Sequence, residues 1–140
     1  MRLTRQEKIY YLLSAISGIL WGGLAYFLGH KLMYPFICGG AIVSPLIGLL
    51  IGYVSRSFRR EDYLRNAFIS LGSLYVSAVL FGISCGFYDL LTRFWLNRDP
   101  IEVVFQAVAP MVIGTTMFIA FLWPLSAITH LTICSLSSKA

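Results

Sequence analysis

Asp89 and His130 are the ionisable side chains that lie deepest within long apolar stretches, and they bound the chemistry this sequence could carry. A carboxylate or imidazole inside a membrane span can relay a proton, bind an ion or act as a general base. Asp89 stands near one end of its stretch, with Arg93 four residues later, the spacing of an interfacial ion pair on a helix. His130 stands near the other membrane face and shares a helical stripe with Thr116, Trp123 and Ala127. A polar-tipped side chain so placed reaches the interface more readily than it holds a ligand. No Asp or Glu falls at mid-depth, so proton-driven transport, which needs a carboxylate there, is disfavoured. Catalysis needs a nucleophile with its base, paired carboxylates or a metal, and the chain's 2 histidines fall on opposite membrane sides. The residues predict no enzyme, no catalytic site, no metal site and no cofactor.

The other reactive residue types read as packing. Cys38, Cys85 and Cys134 form no CxxC pair and have no histidine at ligand spacing, so they behave as small apolar residues. Cys38 and Cys85 lie near the same membrane face, where a bridge would require Cα proximity that spacing alone does not give. Ser70, Ser73, Ser77 and Ser84 form a polar stripe on the third span, together with Tyr88. Serine hydroxyls bond back to a carbonyl one turn earlier, so such a stripe serves packing before it serves a solute path. Trp21 lies near the middle of the first span, although tryptophan prefers the interface. It is expected to pack beside Gly22 and Gly23 and donate to a hydroxyl across the bundle; lining a pigment, quinone or lipid site is the other use of such a residue.

These residues sit on a chain that is 58% hydrophobic, 12% charged and of mean hydropathy +0.77. Apolar stretches at 9–29, 35–54, 66–91 and 103–133 are each long enough to cross a hydrocarbon core about 30 Å thick, which takes about 20 helical residues. The expected fold is an all-α integral membrane protein: four transmembrane helices in one compact bundle over 1–140, arranged as two antiparallel hairpins. The net charge of +5 lies at the ends of spans, so it speaks for orientation and not for nucleic acid.

Arg2, Arg5, Lys8, Arg56, Arg59, Arg60, Arg65 and Lys139 fall on one side, against Lys31, Arg93 and Arg98 on the other. Both termini and the basic loop 55–65 are therefore expected in the cytoplasm, in a bacterial cytoplasmic (inner) membrane. Arg2, Arg5 and Lys8 before an apolar run imitate a secretory signal; the length of that run favours an uncleaved anchor. Arg56, Arg59, Arg60 and Arg65 are candidate contacts to anionic headgroups, each worth about 1 kcal/mol near the surface. The connection 30–34 is a tight turn, and Thr92 to Glu102 suits the outer interface, with Trp95 at headgroup depth and a turn at Asp99 and Pro100.

Small residues mark the faces through which these helices pack. Ser14, Gly18, Gly22, Ala25 and Gly29 gather on one side of the first helix, and Gly40, Ser44, Gly48 and Gly52 on the second. Such ridges let backbones approach closely where lipid supplies no drive to associate. The third helix carries Gly72, Gly82 and Gly86 nearly opposite its serine stripe, so it is expected to be central or to contact a partner. Pro45 and Pro124 each remove a backbone hydrogen bond, and kinks are expected there. A faint echo between residues before the first and third spans suggests a duplicated hairpin. The expected function is that of a non-enzymatic protein acting by helix packing: an accessory or assembly subunit, or a membrane inhibitor or immunity-type factor. Its partner is a membrane protein or another copy of itself. The alternative is an oligomeric small-solute channel or transporter whose path is the serine stripe.

Overall fold

Thr4 and Glu7 open the first helix as a reciprocal cap. The Thr4 N–H donates to Glu7 Oε2 at 2.9 Å and the Glu7 N–H to Thr4 Oγ1 at 3.3 Å, satisfying donors that the helix start leaves without a partner. The computed structural model describes residues 4–30, 37–55, 63–92 and 99–138, the side chains at 28–30, 37, 63 and 138 excepted. Among the described residues it holds five helices: α1 Arg5–His30, α2 Ile37–Ser55, α3 Tyr63–Thr92, α4 Pro100–Met117 and α5 Ile119–Ser138. All five are long and apolar enough to cross a membrane. The helix α4 starts with Asp99 as its cap, whose Oδ1 accepts the Ile101 N–H at 2.9 Å, and with Pro100 where a missing N–H costs nothing. The Asp99 and Pro100 pair is thus a helix start, and α4 begins three residues before the expected 103.

The last expected span, 103–133, is corrected to two helices, so that five helices and not four are candidates to cross a membrane. A straight helix over 103–133 would run about 46 Å, well beyond the hydrocarbon core, and the stretch divides at Phe118. There φ is −100° and ψ is 15°, so the residue leaves helical geometry for one position. Helix-weakening features converge on this point. Gly114 and the threonines that follow it are poor helix formers, Thr115 and Thr116 bond back to the Met111 and Val112 carbonyls, and Pro110 and Pro124 flank the site. The helices themselves run on through Pro45, Pro110 and Pro124. The interruption falls between prolines and not at one.

Residue pairings set the directions. Gly18 approaches Gly48 and Gly52 approaches Ser14, so α1 and α2 form an antiparallel hairpin. Gly86 approaches Val104, Gly82 approaches Val108 and Tyr75 meets Thr116, so α3 and α4 form a second one. The helix α5 meets α3 again beyond the break: Trp123 reaches Ala67 and Ser126 reaches Ser70. Besides α3, α5 also leans on α1. The buried core is small, formed by Ile47, Phe81, Cys85 and Ala107 from α2, α3 and α4. Leu12, Ile42, Phe68, Phe105 and Phe121 stay exposed, as lipid-facing side chains of an integral membrane protein do.

Candidate functional site

The α1–α2 seam is built by residues without side chains to spare. A Cβ placed on Gly18 would collide with the Ser44 carbonyl oxygen and stand 3.1 Å from the Gly48 Cα; one placed on Gly48 would meet the Ser14 carbonyl oxygen. Gly22 faces the Ser44 side chain, and a Cβ on Gly52 would be 2.5 Å from Ser14 Oγ. The serines of this seam bond within their own helices, Ser14 to the Tyr10 carbonyl at 2.9 Å and Ser44 to the Ala41 carbonyl at 2.7 Å. Their polarity is consumed locally, and what remains is a smooth surface for backbone contact. Gly29 lies where side-chain surroundings are not described.

The helix α3 is the hub. Phe81 fills the space over Gly40, and the Ser84 carbonyl and Tyr88 press against Gly39, a contact the sequence reading missed because Gly39 sits beside the marked ridge. On another face a Cβ on Gly82 would be 2.7 Å from the Val108 Cα, and one on Gly86 would be 2.8 Å from the Val104 Cα. Gly72, grouped with them by helical angle, meets nothing within 4 Å. The serine stripe is covered at one end by α5 and at the other by α2. Ser70 is fully buried and donates to the Ala67 carbonyl at 2.7 Å; Ser73 donates to the Ser70 carbonyl at 2.9 Å and Ser84 to the Leu80 carbonyl at 2.9 Å.

The same two carbonyls also receive α5. Trp123 Nε1 donates to Ala67 O at 2.8 Å and Ser126 Oγ to Ser70 O at 3.2 Å, a pair of clasps between helices 56 positions apart in sequence. Tyr75 and Thr116 hydroxyls meet at 3.2 Å and tie α3 to α4 just before the Phe118 break. The sequence offered Trp123 and Thr116 as members of one stripe; their partners required the tertiary fold.

Between α1 and α5 lies a cleft of about 180 Å³, lined by Ser17, Leu20, Trp21, Leu24, Leu125 and Thr129. Trp21 borders this space and does not donate across the bundle as expected. Among the described residues, neither the Trp21 indole N–H nor the Ser17 hydroxyl has a hydrogen-bond partner. Thr129 donates to the Leu125 carbonyl at 2.8 Å, leaving its oxygen to accept.

Asp89 and His130 stand on different helices, α3 and α5. Asp89 is half-buried near the end of α3, and its proposed partner Arg93 lies outside the described residues. His130 is half-buried on α5, with Cys134 Sγ 3.9 Å from its Nε2. Cys38, Cys85 and Cys134 are not joined in disulfides among the described residues. Arg65 is exposed at the start of α3, whereas Arg56, Arg59 and Arg60 lie outside the described residues, as do Lys31, Glu61, Trp95, Arg98 and Lys139. Among the described residues no three His, Cys, Asp or Glu side chains come together as a metal site would need. The fold defines the class, an all-α integral membrane protein. Compared with known proteins, the chain matches no family model, no curated protein and no solved structure.

Proposed function

We propose that this chain is a non-catalytic membrane protein that works by packing against another membrane protein, as an accessory or assembly subunit or as an inhibitor of the immunity type. One observation carries the reading: no residue from 119 to 136 on α5 is buried. A helix of that length is held by the Trp123 and Ser126 clasps and by α1, and its outer stripe, with Phe121 78% and Ile128 61% exposed, is free for a partner helix. Ser70, Ser73 and Ser84 of α3, bonded within their own helix, support packing over a solute path, while Ser77 makes no such bond among the described residues.

The proposed setting is the bacterial cytoplasmic membrane, with the N-terminus and the basic loop 55–65 inside and Arg56, Arg59, Arg60 and Arg65 against anionic headgroups. Four crossings would return the C-terminus to the cytoplasm. Five crossings, the number α5 adds up to, place it on the other face.

Photo-crosslinking residues at Phe121, Ile128 and Thr132 test the partner. Capture of one defined membrane protein, or of a second copy, is expected, with no capture from the seam position Gly48. A chain that stays monomeric in mild detergent and crosslinks only to lipid ends this reading. Solute flux into proteoliposomes that is abolished by replacing Ser73, Ser77 and Ser84 with leucine establishes the channel alternative instead.

A further inference from the structure

Most hydroxyls in these helices have spent their proton on a carbonyl of their own helix: Ser14, Ser44, Ser70, Ser73, Ser84, Thr115, Thr116, Thr129 and Thr132 all do so. Among the described residues Ser77 has not, nor has Ser17, and one turn after Ser17 on the same face Trp21 has an indole N–H with no acceptor. Ser17 and Trp21 border the α1–α5 cleft.

Depth makes this arrangement costly. Trp21 lies two residues past the middle of the apolar stretch 9–29, about 3 Å along the helix axis. Water is absent from that zone, and lipid ester carbonyls sit at the interface, about 15 Å from the middle of the core. Thr129 Oγ1, whose proton is spent on the Leu125 carbonyl, is a protein oxygen on the lining that can accept, and a molecule that fills the cleft can bring further acceptors to these donors.

The dimensions narrow the choice. A dry protein cavity of about 150 Å³ takes up benzene, and this cleft measures about 180 Å³ with a side open to lipid. That accommodates one substituted ring with its tail running out among acyl chains. A partner helix, about 10 Å across, does not enter. The walls are apolar through Leu20, Leu24 and Leu125, and the indole offers a ring face for stacking.

We propose that the α1–α5 cleft binds the ring of a membrane-soluble quinone, with Ser17 and Trp21 donating to its carbonyl oxygens. The site binds and orients the ring, and no electron transfer is assigned to it. It stands apart from the partner reading, since it uses the inner side of α5 and not its outer stripe.

The test uses the full chain in lipid nanodiscs, titrated with decylubiquinone and, separately, with dodecylbenzene, a tailed ring that lacks an acceptor. Intrinsic fluorescence and the thermal midpoint are followed. Decylubiquinone is expected to quench saturably and raise the midpoint, with dodecylbenzene roughly tenfold weaker or worse. Trp21→Phe keeps the packing and removes the donor; it and Ser17→Ala are each expected to weaken the midpoint response roughly fivefold. Gly72→Ala, in open space on α3, leaves it unchanged. Quenching that never saturates, equal responses to the two probes, or wild-type binding by Ser17→Ala overturns the proposal. Crosslinking from Phe121 and Ile128 is unaffected by any of these outcomes.

Discussion

At the scale of single residues, the seams depend on the absence of a methyl group. Gly18 and Gly72 are both helical glycines, and intrinsic propensity alone would favour alanine at either by up to about 1 kcal/mol. Their surroundings reverse the sign at one of them. A Cβ on Gly18 strikes the Ser44 carbonyl, which belongs to a backbone that cannot rotate away, whereas Gly72 faces open space. Gly18→Ala is therefore expected to destabilise by about 1–3 kcal/mol, as overpacking does, and Gly72→Ala to be neutral or slightly stabilising. Reversible unfolding in bicelles measures both. The four-residue spacing made Gly18, Gly48 and Gly52 legible in the sequence, since one helical face collects every fourth residue. It misjudged Gly72, because helical angle says which residues share a face and not whether a neighbour occupies it. Thr4→Ala removes the reciprocal cap with Glu7 and should cost about 1 kcal/mol, read in the same unfolding assay.

At the scale of elements, α5 is the helix that hydropathy could not resolve. A window of apolar residues from 103 to 133 has no polar gap, so composition reads it as one span; the division comes from Gly114, Thr115 and Thr116 weakening the helix just before Phe118. Two hydrogen bonds then fix where α5 goes. Trp123→Phe and Ser126→Ala each remove one, and each should cost about 0.6 kcal/mol, the average for such bonds inside a membrane, with about 1.7 kcal/mol as a ceiling. The two bonds join neighbouring turns of the same pair of helices, so a double variant should show coupling in a mutant cycle. Additive losses would mean that α5 is positioned by its contacts with α1 instead. The α1–α2 hairpin was legible because few residues separate the two apolar stretches in sequence and both ridges were marked by small residues.

At the scale of the whole molecule, the number of crossings decides where the chain ends. Reporters that are active on only one side of the membrane, fused after residue 55 and after residue 138, are expected to give opposite answers, inside for the loop and outside for the C-terminus. Matching answers would mean that α5 returns to the side it came from. The sequence by itself determined the solvent, the helical class and the small-residue seam, because hydrophobic length and four-residue spacing are local properties of a chain that must satisfy its backbone within lipid. Only the tertiary structure decided that the serine stripe is closed over by α5 and α2, that the last apolar stretch is two helices, and that Ser17 and Trp21 share a cleft with Leu125 and Thr129. The division at Phe118 has a local cause that hydropathy does not register; the cover of the stripe and the cleft depend on which carbonyls and faces meet between residues more than forty positions apart. No window along the chain contains that information.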